Sequence, residues 1–224
     1  MQEIIIHNVI EIRKAILKWG NNNMRKFPWR ETNDPYKILM AEIFLHRTAV
    51  RQVLPVYIEF IEMFPDIANL YKAPDIKIRK SIQGLGLNWR LEGVIVMKKY
   101  IIEKLGGIIP CEKNQLKEIP GISDYIASAV RISAFKCVDT PLDTNTVRIT
   151  GRVFDMEITD SSRRNEKFRQ GLSLLINPDE PRKSFYALLD IGNAICKKNK
   201  TDCNICPIAY WCRKKLKSKY ALIK

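Results

Sequence analysis

No stretch of this 224-residue chain reaches the roughly 18 consecutive apolar residues that a membrane-crossing helix needs, which excludes an integral helical membrane protein. The amino terminus, Met1-Gln2-Glu3, lacks the basic segment and cleavage pattern of a secretory signal, so the expected compartment is the cytoplasm. Thiols there are kept reduced, and the six cysteines are accordingly not read as a disulfide framework. Internal repeats, low-complexity tracts and convincing strand alternation are also missing, which leaves a helical globular protein. Acidic residues are the scarce charge: 24 Asp and Glu stand against 38 Lys and Arg, a formal net charge of +14. That excess exceeds what solubility requires and points to a polyanionic partner, nucleic acid first and an anionic membrane surface second.

What is present is a succession of short helices. A hydrophobic content of 46% suffices for one large domain or two small ones. Ile6, Val9, Ile10, Ile12 and Ile16 predict an apolar stripe on a helix over 3–19, followed by a loop at Asn21-Asn22-Asn23 that continues through Phe27-Pro28-Trp29-Arg30. Asp34 and Pro35 suit the N-cap and first turn of the next helix, where Glu42 interrupts the apolar residues Ile38, Leu39, Ala41, Ile43 and Leu45. On that helix Glu42 shares a face with Ile38 and Leu45, which predicts partial desolvation; a salt bridge to a residue such as Arg47 is the plain structural alternative. Further helices are expected over 50–64, 66–73, 75–83, 89–105 and 124–135, and from Asn145 towards Val153. Residues 160–170 read as loop-like or frayed, helices follow around Leu172 to Ile176 and from Ser184, and Cys111 and Cys137 read as core residues. Residues 197–224 carry nine basic side chains against one acidic, Asp202, which makes this tail a contact surface for an anion or simply a solvated face.

Three features carry chemistry. Pro120-Gly121 closes one helix, and Ile126, Ala129 and Val130 at helical spacing begin the next, so the turn offers unpaired backbone N–H groups to a phosphate. Gly84-Leu85-Gly86 offers a second, weaker turn of that kind. Tyr125 lies in the first turn of the second helix, and Asp143 follows 18 residues later within Pro141-Leu142-Asp143-Thr144-Asn145, so the two side chains are candidates for one pocket. Cys196, Cys203, Cys206 and Cys212 are separated by six, two and five residues, which lets four thiolates converge on one metal centre. Zinc and a [4Fe-4S] cluster both suit that donor set.

The six-two-five cysteine spacing resembles that of the endonuclease III and MutY branch of the helix-hairpin-helix DNA glycosylases. The resemblance extends over nearly the whole chain through Phe27-Pro28-Trp29-Arg30, Asp34-Pro35-Tyr36, Ala41-Glu42-Ile43-Phe44-Leu45, Gly84-Leu85-Gly86, Ile119-Pro120-Gly121 and Leu142-Asp143-Thr144-Asn145. It implies an all-α fold of two helical domains with a DNA-binding cleft between them. Residues 23–132 would form a six-helix domain with the helix-hairpin-helix, and 1–22 plus 133–224 an iron-sulfur cluster domain. The four cysteines would hold a [4Fe-4S] cluster. Asp143 would stabilise the oxocarbenium-like sugar as the base departs, Asn145 would position Asp143, and Glu42 aligns with the general acid of the MutY enzymes. Gly121 and Ser123 of the hairpin would bind the DNA backbone, Arg47 and Thr48 would also contact DNA, and Leu87 or Trp89 would wedge into the base stack.

Two residue differences set the expected reaction. Position 125 is tyrosine where the bifunctional enzymes carry a Schiff-base lysine, so the expected enzyme is a monofunctional DNA N-glycosylase without strong strand-cleaving lyase activity. His46-Arg47-Thr48 replaces the MutY glutamine pair as in the T/G mismatch group, and the chain stops shortly after the cysteines, where MutY enzymes continue into a domain that reads 8-oxoguanine. The expected target is therefore thymine or uracil opposite guanine or 8-oxoguanine, handled by a monomer bound to double-stranded DNA near the nucleoid. The alternatives are a MutY-like adenine glycosylase acting on A/8-oxoguanine or A/G, and a noncatalytic DNA-binding module. Ser123 and Asp124 depart from the family hairpin, the first replacing a glycine and the second adding negative charge beside the phosphate site.

Overall fold

The structure, a computed structural model, describes residues 2–86 and 88–215, apart from the side chains of residues 2–7 and 88–91. Regular structure among them is helical: α1 (Gln2–Asn23), α2 (Pro35–Leu45), α3 (Val50–Met63), α4 (Ile67–Lys72), α5 (Asp75–Ile82), α6 (Asn88–Leu105), α7 (Lys113–Glu118), α8 (Asp124–Ala134), α9 (Thr144–Phe154), α10 (Glu166–Leu175) and α11 (Pro181–Ala194). An isolated bridge pairs Cys196 with Thr201. The chain divides into two compact units, Lys26–Phe135 and the discontinuous pair Met1–Arg25 with Lys136–Lys224. The expected all-α class is thus what the chain adopts.

In the first unit α2 is the hub. Asp34 Oδ1 accepts from the backbone N–H groups of Tyr36 at 2.9 Å and Lys37 at 3.4 Å, and Pro35 fills the first helical position, so the helix starts where its cap dictates. Its residues Leu39, Met40, Ala41 and Phe44 have no exposure, because α3 covers one side and α8 the other. Phe44, Phe60 and Phe64 pack edge to face at 5.0 Å spacing, and the Tyr36 hydroxyl donates to Phe64 O at 2.8 Å. Phe27-Pro28-Trp29-Arg30, expected as loop, forms a 3-10 turn whose Trp29 stacks on Phe27 and buries itself against Tyr57. Buried Lys98 reaches Asp75 and Ala73 O, both at 2.8 Å, which fastens α6 to the connection between α4 and α5.

In the second unit α11 is the hub. Phe185, Ala187, Leu188 and Ile191 are fully buried against Ile12 and Ile16 of α1 and Ile149 and Val153 of α9, while α10 adds Phe168, Leu172 and Leu175. Four sequence expectations need correction. The first helix does not stop near Gly20 but runs through Asn21-Asn22-Asn23, because Gly20 serves close packing: a Cβ there would lie 2.9 Å from Ala187 Cβ. Its stripe is also narrower than expected, since Ile10 is exposed. Residues 160–170 are not a loop; Asp160–Arg164 makes a 3-10 turn, and α10 begins at Glu166 with the Asn165 side chain accepting from Lys167 N at 2.8 Å. Cys111 and Cys137 are half-buried rather than core residues.

Arg25 closes the first segment of this unit against α11. Asp190, buried on that helix, accepts from Arg25 N at 2.8 Å and from its Nε at 2.7 Å, with Nη2 at 2.6 Å. Removing the guanidinium leaves a buried carboxylate short of its counter-charge. Arg25→Ala should therefore cost on the order of 3 kcal/mol in urea unfolding, whereas exposed Lys14→Ala, which breaks the surface pair with Glu11, should cost under about 1 kcal/mol.

Candidate active site and cysteine cavity

Asp143 is the N-cap of α9, and the cap explains its orientation. Its Oδ1 accepts from the backbone N–H groups of Asn145 at 2.9 Å and Thr146 at 2.7 Å, while Oδ2 accepts from Asn145 Nδ2 at 3.0 Å. Thr146 completes a capping box by accepting from Asp143 N at 2.9 Å, and its hydroxyl lies 2.9 Å from Pro141 O and 3.0 Å from Asp143 Oδ1. A carboxylate bonded this way by helix N-terminal amides is held in one rotamer.

Behind Asn145 stands Arg148. Its Nη2 donates to Asn145 Oδ1 at 2.7 Å, which fixes the amide so that Nδ2 faces Asp143. The same guanidinium donates to Gly192 O at 2.8 Å, Thr144 O at 3.0 Å and, through Nε, to Cys196 O at 2.6 Å. Burial lowers the Arg148 pKa from its usual value, Arg152 adds to this, and Cys196 and Asp143 oppose it; the group remains a cation. Gly192 lets α11 approach, since a Cβ on it would lie 2.7 Å from Asn145 Cβ. Thr146, Arg148 and Gly192 were not singled out in the sequence. The signal for Thr146 was its place three residues after an N-capping Asp; Arg148 and Gly192 become visible only when α9 and α11 meet.

The other unit carries the remaining predicted residues. The hairpin runs from α7 through Gly121, at φ +85, into α8. Ser123 caps α8 by accepting from Ile126 N at 3.3 Å, a bond that leaves its hydroxyl proton available to donate. Asp124 lies 3.4 Å from Lys113 Nζ, so the added negative charge is offset within the hairpin. Tyr125 is half-buried at the edge of the core, and Glu42 is buried at 5% exposure within α2. Arg47 follows α2 as an exposed residue in the left-handed region, at φ +62, a conformation that bulky residues rarely hold, and Thr48 N donates to Leu45 O at 3.2 Å. Leu87 lies outside the described residues, and Trp89 lies in the first turn of α6 with its side chain outside them.

The four cysteines return to the Asp143 unit. Cys196 follows α11, with its N–H donating to Ile191 O at 2.8 Å; Cys203 lies in a turn, Cys206 in the irregular segment just after it, and Cys212 follows a 3-10 turn at Ala209–Trp211. All four are half-buried and line one cavity of about 220 Å3, walled also by Ile149, Val153, Ile195 and Ile208. Burial pushes the Cys206 thiol up to about 11, with an N–H from Ile208 opposing and the other three cysteines adding. Cys212 is raised mainly by burial too. Burial thus favours these two thiols in their neutral form, and four thiolates in that cavity would need a cationic centre to balance them. Among the described residues no group of three or more His, Cys, Asp or Glu side chains is arranged as a metal site.

Relatives share this architecture. No family model matches the chain. It is 35% identical over 205 residues to a thymine-DNA glycosylase of Aeropyrum pernix, covering 88% of this chain and 91% of that one. A thymine/uracil-DNA glycosylase of Pyrobaculum aerophilum is 33% identical over 207 residues, with 89% of each chain covered. An adenine DNA glycosylase of Buchnera aphidicola is 33% identical over 208 residues, but these span 59% of its length. Among solved structures, a thermostable thymine-DNA glycosylase superposes with a TM-score of 0.87 at 28% identity, covering 94% of this chain and 98% of the other. Endonuclease III in a non-covalent DNA complex matches at a TM-score of 0.77 and 19% identity over 98% of this chain and 99% of that one, a likeness of fold. Identities of 35% and 33% along about nine-tenths of both chains show that the chain belongs to the helix-hairpin-helix DNA glycosylases of the branch that contains endonuclease III and the thymine and adenine DNA glycosylases.

Proposed function

We propose that this protein is a monofunctional mismatch glycosylase that hydrolyses the N-glycosidic bond of thymine or uracil opposite guanine or 8-oxoguanine and leaves an abasic site. The observation that carries the catalytic part is the seat of Asp143, whose two oxygens are engaged by two backbone N–H groups and by an amide that Arg148 orients. A fixed anion costs no reorganisation when positive charge develops on the sugar, which is the condition for electrostatic stabilisation of an oxocarbenium-like transition state. The nucleotide must first leave the stack, and protein contacts offset the lost stacking. Arg47, Thr48, Gly121 and Ser123 are assigned to those contacts, with Leu87 or Trp89 as the wedge. Buried Glu42 binds the departing base or holds a water, and Tyr125 packs beside the abasic sugar.

Cys196, Cys203, Cys206 and Cys212 would hold a [4Fe-4S] cluster. When bound, that group supplies the positive centre the four thiolates require and ties the turns after α11 together. The base assignment rests on the relatives matched along 91% and 89% of their length, whose names give thymine or thymine and uracil. A second reading, adenine excision, is favoured by Glu42, a buried carboxyl of the kind that could protonate a purine nitrogen. Incubation with T/G, U/G, T/8-oxoguanine, A/8-oxoguanine and A/G duplexes, followed by alkali cleavage, separates the two. Fastest release from T/G or U/G is expected, and fastest release from the adenine pairs would replace the first reading by the second.

Tyrosine at position 125 has no amine with which to form a Schiff base. Borohydride added during turnover should give no covalent enzyme–DNA band on a denaturing gel, while Tyr125→Lys should give one. An adduct in the parent protein would remove the monofunctional assignment.

A further inference from the structure

Arg152 lies one turn beyond Arg148 on α9 and meets the same cysteine differently. Its Nη1 donates to Lys197 O at 2.7 Å and lies 3.3 Å from Cys196 Sγ, and its Nη2 donates to Lys198 O at 2.9 Å. Arg148 reaches the carbonyl oxygen of Cys196 rather than its sulfur. Lys198, Lys214 and Lys215 also line the cysteine cavity; Lys198 and Lys214 are exposed, where water and salt screen their charge, and Lys215 is half-buried. Arg152 is half-buried, and its two anchoring carbonyls hold the guanidinium against the segment after α11.

We propose that Arg152 donates an N–H···S hydrogen bond to Cys196 Sγ that raises the reduction potential of the bound cluster and slows its oxidative loss; this rests on the reading that the four cysteines hold a [4Fe-4S] cluster. The sign follows from charge. A cationic donor at a ligand sulfur draws electron density from the thiolate and favours the state carrying one more electron, so hydrogen bonds to the sulfurs are among the protein's means of setting such potentials. Lysine at the same position keeps the charge but offers a single ammonium group, which cannot serve two carbonyls and a sulfur in one plane.

The test uses the whole protein purified without oxygen, as parent, Arg152→Lys and Arg152→Met, with film voltammetry on an electrode that supplies and removes the single electron. Arg152→Met should shift the midpoint downward by an amount equal to about a tenfold change in the oxidised-to-reduced ratio, about 59 mV for one electron. Its visible absorbance should bleach several-fold faster under ferricyanide, and Arg152→Lys should fall between the two. Where a variant loses the cluster during purification, the parent alone decides: with 15N-guanidino arginine, pulsed EPR of the oxidised cluster should show a 15N coupling. A loaded Arg152→Met protein with an unchanged midpoint, or a parent without that coupling, overturns the inference and leaves the cluster reading intact. A parent that contains neither iron nor visible absorbance overturns that reading and the inference with it.

Discussion

Asp143→Asn should lower the rate of base release on the order of 10³-fold while leaving folding and duplex affinity almost unchanged. The substitution separates the two tasks of this side chain. Asparagine caps helices about as well as aspartate, so its carbonyl oxygen can still accept from Asn145 N and Thr146 N, and α9 keeps its start. What disappears is the negative charge, together with the acceptor for Asn145 Nδ2, a loss of about 1 kcal/mol. Single-turnover rates on a mismatched duplex, set beside a thermal melt and a binding isotherm, measure all three quantities. A variant that melts normally, binds normally and still releases base at the parent rate would assign Asp143 to the helix alone. A parent that binds DNA without releasing any base would instead be a binding module.

The second large effect is expected at a residue with no side chain. Gly192→Ala would place a methyl group 2.7 Å from Asn145 Cβ and 3.2 Å from its Oδ1, closer than packed atoms tolerate. Either α11 withdraws or Asn145 turns, and both break the contact through which Arg148 orients the amide. Overpacking of this kind costs about 1–3 kcal/mol in stability. Displacing a positioned group by about 1 Å costs on the order of 10²-fold in rate, so excision should fall about that far. The comparison that isolates positioning is Gly20→Ala, which creates a similar clash with Ala187, five residues before Gly192 on α11 and away from Asn145. It should lower the melting temperature without a matching loss of rate per folded molecule. Equal losses of rate in the two variants would reduce Gly192 to a packing residue.

The parts of this molecule that could be read from the chain are those set by local rules. Asp34-Pro35 announces α2 because a cap and a first-turn proline act within four residues, and the cysteine spacing is itself a sequence property. Asp143 was legible from its neighbours for the same reason. Arg148 was not, because its partners Gly192 and Cys196 are 44 and 48 residues away and become partners only when α11 docks on α9. Gly20 misled because glycine ends helices and also permits close packing, and the choice between these is made by Ala187. The polar surface of residues 160–170 hid α10, whose buried Phe168, Leu172 and Leu175 repeat every three or four residues but span the boundary of the segment judged to be loop.

The discontinuity of the second unit also bears on how the protein is made. Helix α1 leaves the ribosome first, yet the helix that buries Ile12 and Ile16 begins at Pro181. Throughout the synthesis of Lys26–Phe135, a contiguous unit with its own core and able to fold as it emerges, α1 has no native partner. Its apolar stripe must therefore be sheltered during translation, and the assembly step that finally covers it spans most of the chain. Slow, long-range closure of this kind makes the nascent protein, rather than the finished one, the form most exposed to aggregation.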